Sequence, residues 1–195
     1  MINPLQPLWR ISRRLSFQQA LLFAPVAYVL HHVEEHLLFD PTAWRVRFLP
    51  DANHIASEVE LCLLVGLIGA ALLLHALIGN RRTAQSAVFV IKATQLHNAV
   101  YHVGGTLALG AWMPGLLTVI VLYLPLNLLI LRKARDEGWI GLRSGAALFV
   151  ASGAAYWLYE LLGPAVLLVT AAGGLAWIAV SLLPPGARRA TEQRR

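Results

Sequence analysis

The chain of 195 residues is 57% hydrophobic and 13% charged, against roughly 45–50% and about 25% for soluble domains, and its mean hydropathy is +0.61. A water-soluble enzyme of this length would have nowhere to bury so much apolar surface, and a disordered chain would carry far less of it. The single cysteine, Cys62, excludes a disulfide scaffold, and sixteen Lys and Arg against ten Asp and Glu leave a net charge of +6.

Runs approaching the roughly 20 apolar residues that cross about 30 Å of hydrocarbon predict six spans, at about 17–38, 55–77, 84–109, 113–131, 144–162 and 165–183. None alternates as a barrel strand would, so helices are expected. Pro25 and Pro125 predict kinks in the first and fourth spans. The third is overlong and is expected to tilt or project from the bilayer. Gly79-Asn80, Gly110, Pro114, Gly163-Pro164 and Pro184-Pro185 mark helix ends. The longest connection, 40–52, carries Trp44 and Phe48 and is expected at the outer interface. The expected fold is all-α: one integral membrane domain over 1–195, a polytopic transmembrane bundle of six spans.

Charge sets the orientation. With the N-terminus inside, thirteen Lys and Arg fall on the cytoplasmic side, Arg45 and Arg47 fall outside, and Lys92 lies within the third span. The positive-inside rule then gives N-in/C-in, in a membrane of the bacterial inner type. The basic balance reads as topology with some attraction to anionic lipid, and no nucleic-acid partner is expected. Arg10 to Arg14 are expected to precede a retained helix, because the apolar run outlasts a signal peptide and no A-x-A site follows.

Ionisable residues inside spans are rare and costly. Here Glu34, Glu35, Glu58, Glu60, Glu160, His31, His32, His36, His54, His97 and His102 all fall in or at the edge of four spans, on the outward side. Helical rotation of about 100° per residue groups them. Glu35 shares a stripe with His31, His32 and Tyr28; Asn98 and His102 are i, i+4 neighbours; Tyr156, Trp157 and Glu160 share a face. Glu58 is placed with His54 and Cys62, with Glu60 pointing the other way. Lys92 is off the Asn98/His102 stripe, His97 is a weaker candidate, and His75 is read as structural or interfacial.

His31-His32-Val33-Glu34-Glu35 reads H-x-x-E-E, and Asn98 to His102 reads N-x-x-x-H. Together, over about 17–110, they resemble the HXXEE family of integral membrane proteins. The resemblance supports a His/Glu site and implies no particular substrate.

Mixed imidazole and carboxylate ligands suit a divalent metal, Zn²⁺ or Fe/Mn, better than sulfur-seeking centres. His31 or His32, with Glu35, Glu58 and His102, are the candidate ligands. Asn98 is the candidate for orienting a ligand or water, and Glu34 or Glu160 for the base. A site in the outer half implies membrane lipids as surroundings and a lipid or other hydrophobic small molecule as substrate. Hydrolysis ranks above oxygen chemistry, since the E-x-x-H order of di-iron proteins is reversed here. A metal-free isomerase or cyclase with Glu35 as acid, a proton or metal carrier, and a purely structural cluster are the alternatives.

Overall fold

The computed structural model describes residues 14–48 and 57–182, and among these there is no strand. Helix α1 (Phe17–Leu21) opens on a Ser16/Gln19 capping box. It joins α2 (Phe23–Val33) through Leu22, three residues before Pro25, whose missing N–H cannot serve the carbonyl of Leu21. The helix then widens into a π turn over Glu34–Leu38. A short α3 (Pro41–Phe48) follows, its start tied by Ala43 N–H donating to Asp40 Oδ1 at 2.9 Å.

Helix α4 (Ser57–Ile78) returns and stops at Gly79, whose φ of +60° suits a residue without a Cβ. Asn80 caps α5 (Arg81–Ile91), which widens at Lys92–Leu96 and continues as α6 (His97–Leu109) to the left-handed Gly110. Helix α7 (Leu116–Thr118) widens over Val119–Tyr123 into α8 (Leu124–Asp136). Pro125 removes the bond its N–H would have given Val121, and the wide turn lies there. The last two helices are α9 (Leu142–Leu162) and α10 (Ala165–Leu182), parted by Gly163.

Helices thus lie where the apolar runs predict them. Three stretches, Val59–Ile78, Leu116–Asp136 and Leu142–Leu162, are long and apolar enough to cross a membrane, and Ala165–Val180 is a shorter apolar helix. The first and third predicted spans are helical but interrupted by their wide turns, each of which inserts a residue and breaks the rotational phase.

The centre is packed with small residues: Ala20, Ala24, Ala27, Ala84 and Ala87 are buried and let helices approach closely. A buried polar ladder ties three helices together. Gln95 Nε2 donates to Ala24 O at 2.7 Å, and Asn127 Nδ2 donates to Gln95 Oε1 at 3.2 Å and to Tyr123 O at 2.9 Å. Outside, Leu37, Leu107, Leu168 and Val169 expose more than 70% of their surface, as side chains that meet lipid do.

Candidate metal centre

The polar residues gather at the end of the bundle where α2, α6 and the start of α7 meet. His31 of α2 and Glu35 of the π turn that follows stand one turn apart, and His102 faces them from α6. Glu35 Oε1 lies 3.5 Å from His31 Nε2 and 3.4 Å from His102 Nε2, and the two imidazole rings meet edge to face at 4.9 Å. Both histidines are buried, and the Glu35 side chain is 18% exposed.

The hydrogen bonds of the neighbouring turn favour one tautomer of His31. The Thr118 hydroxyl donates its one proton to Gly115 O at 3.0 Å. It can therefore only accept from His31 Nδ1, 2.9 Å away. That tautomer leaves Nε2 a bare lone pair, buried, with no hydrogen-bond partner. An ionised Glu35 would then set one electron-rich atom against another inside a protein, an arrangement that a cation relieves.

The spacing fits as well. Ligands about 2.0–2.1 Å from a tetrahedral metal lie about 3.3–3.4 Å from one another, and the two distances here are 3.4 and 3.5 Å. His31, Glu35 and His102 form one of the two groups among the described residues that could hold a metal ion; His32, Glu35 and His36 form the other. Thr118 holds His31 as an outer-shell partner holds a metal-binding histidine.

Glu34 has a different occupation. Its carboxylate accepts from the backbone N–H groups of Leu117 at 3.1 Å and Thr118 at 2.7 Å, capping the start of α7. The adjacent carboxylates of the motif thus divide the work: Glu34 docks the helix onto the turn that orients His31, and Glu35 faces the histidines. Of the two carboxylates expected as candidates for the base, Glu34 is thus the one whose oxygens both accept backbone N–H groups. Gly115 makes the docking possible. Its φ is +82°, and a Cβ there would lie 2.5 Å from His31 Cε1 and 3.0 Å from Glu35 Cγ.

His32 Nδ1 is 3.8 Å from Glu35 Oε2, and its ring stacks against Tyr28. Asn98 and Glu160 both line the cleft of about 80 Å³ in front of the cluster, as do Trp44 of α3 and Met113. Asn98 Oδ1 is a buried acceptor with no hydrogen-bond partner. Glu58 lies in the first turn of α4, and its side chain, like all of His54, is outside the described residues.

Glu60 is a correction. Expected to point away, it lines the cleft and accepts from Tyr159 O–H at 2.8 Å, while Cys62 is exposed. The inward stripe of α4 runs through Leu64, Ile68, Ala71 and His75. His75 is buried there, bonded to Thr83 Oγ1 at 3.1 Å, in the structural role expected of it.

Lys92 and His97 serve packing. Lys92 Nζ donates to Gly145 O at 3.0 Å, and His97 Nε2 lies 3.0 Å from Phe149 O and 3.1 Å from Ser152 Oγ, fastening α9. Sequence reasoning passed over Thr118, Gly115 and Tyr123, whose ring packs 4.6 Å from that of His31. The only sequence signal there is Pro114, as a helix end.

The profile of a family described as "protein of unknown function with HXXEE motif" matches residues 22–130. The chain belongs to the HXXEE family. The match takes in His31, Glu34, Glu35, Asn98, His102, Gly115 and Thr118, so the HXXEE motif and the turn it docks against lie inside it. No curated protein and no solved structure matches the chain.

Proposed function

We propose that this HXXEE protein is a six-span membrane protein with both termini cytoplasmic, and that it is a metal-dependent enzyme acting on a lipid or other hydrophobic molecule. The observation that carries the metal is the buried Nε2 of His31, which has no hydrogen-bond partner and faces Glu35. His31, Glu35 and His102 would hold Zn²⁺, or Fe or Mn, with the cleft side left for water or substrate. A bound ion of this kind polarises a carbonyl or phosphoryl oxygen and lowers the pKa of water towards about 7, which favours hydrolysis.

The chain's own residues supply the rest. Thr118 and the Glu34 cap keep His31 aimed; Asn98 offers an acceptor to a hydroxyl; Glu160 and Glu60, lining the cleft, are the carboxylates placed to take a proton. Trp44 and Met113 add apolar surface to the cleft wall. The apolar composition of the spans and the placement of the cleft support a substrate that arrives from the bilayer.

The test is metal content. Protein purified without a metal-binding tag, in mild detergent, should carry about one zinc, iron or manganese per chain by plasma mass spectrometry, as such a three-ligand site implies. A His31→Ala/Glu35→Gln double variant should lose it. If neither purification nor reconstitution loads the wild type above the variant, the metal proposal fails and Glu35 becomes the acid of metal-free chemistry.

A further inference from the structure

A second, larger cavity of about 610 Å³ lies between α4, α5, α9 and α10, within the roughly 300–1,000 Å³ of small-molecule sites. Its walls are apolar, with Leu67, Phe89, Ala151 and Ala171 among them, and it runs along α4 from Glu60 to Leu74, about 21 Å at 1.5 Å per residue. It meets the metal cleft: Tyr28, Glu60, Asn98 and Glu160 line both. A long apolar chamber thus adjoins a small polar cleft across a neck formed by these four residues.

We propose that this chamber binds the tail of a long, single-chain alcohol, the group released when water cleaves its ester at the cleft, with its hydroxyl at the neck; the inference rests on the cleft being the reacting end. Three features select this class. The cleft, at about 80 Å³, holds roughly a few waters, too little for a glycerophosphate head. Glu60 and Glu160 at the neck disfavour a carboxylate or phosphate. The buried Asn98 Oδ1 is an acceptor in want of a donor, which a hydroxyl supplies and an aldehyde does not.

The probe is hexadecan-1-ol carrying a mid-chain diazirine, added to the full chain reconstituted in dioleoylphosphatidylcholine vesicles. Photolabelling should saturate, be competed by unlabelled hexadecan-1-ol but poorly by hexadecanoate, and map to cavity residues such as Leu67, Phe89 and Ala171. Ala93→Trp and Ala155→Trp, which fill the chamber, should each reduce saturable labelling by about tenfold or more while keeping metal content, which reports an intact fold. Labelling that grows linearly with probe and falls on outward residues such as Leu37 and Leu168 would mean ordinary lipid contact and overturn the proposal. So would undiminished labelling in a folded filled variant. Equal competition by hexadecanoate would overturn the alcohol assignment. The His31→Ala/Glu35→Gln variant separates this idea from the metal one. Saturable labelling in protein that binds no metal removes only the metal, and a metal-loaded protein without saturable labelling removes only the tail site.

Discussion

Gly115→Ala tests the joint between fold and site. The residue sits at φ +82°, and its added Cβ would fall 2.5 Å from His31 Cε1, 3.0 Å from Glu35 Cγ and 3.1 Å from Glu35 Oε1. The left-handed backbone alone costs an L-residue about 1–2 kcal/mol, and forcing a methyl into a packed site adds about 1–3 kcal/mol. Stability should fall by about 2–5 kcal/mol, and the imidazole must move to make room. Displacing a ligand from its held orientation should weaken metal binding by about 10–100-fold, the size of outer-shell effects. Gly110→Ala is the matched control: its φ is +60°, but its Cβ would meet nothing within 4 Å. It should pay the backbone cost of about 1–2 kcal/mol and leave metal affinity alone. Thermal unfolding in detergent and competition against a chelator would read the two quantities. If Gly115→Ala bound metal as tightly as wild type, the turn would not be positioning His31.

Thr118→Val keeps the shape but removes the acceptor for His31 Nδ1, and should lower metal affinity by about 10–100-fold in chelator competition; Thr118→Ser should restore it. Glu34→Ala removes the cap on α7 and should cost about 0.5–2 kcal/mol in thermal unfolding, with metal stoichiometry kept in whatever remains folded. Orientation is open to thiol labelling in a Cys62→Ser background: Arg47→Cys should react with a membrane-impermeant maleimide in intact cells and Lys133→Cys should not. The reverse pattern would invert the topology.

The sequence disclosed the helices because length and hydropathy alone determine where a chain can cross lipid. It disclosed His31, Glu35 and His102 as partners because ionisable groups in lipid must find each other, and i, i+4 spacing on two helices leaves few ways to do so. The phase of α4 was not legible. Its exposed and inward sides are both apolar, so the direction of Glu60 could be read only from packing, and it lines the cleft. The role of Glu34 was hidden for another reason. Its partners are backbone N–H groups of Leu117 and Thr118, which any residue types would offer. The wide turn at Lys92–Leu96 has no composition of its own, yet it resets the phase before His97 and Asn98.

X-ray absorption at the edge of the bound metal addresses the central claim most directly, because it reads the ligands. Two imidazole nitrogens at about 2.0–2.1 Å with oxygen ligands and no sulfur are expected for the wild type if the ion is zinc. In His102→Ala, one imidazole should disappear from the spectrum of whatever metal remains. A shell of oxygens alone, a sulfur ligand, or an unchanged imidazole count in His102→Ala would contradict a centre built from His31, Glu35 and His102.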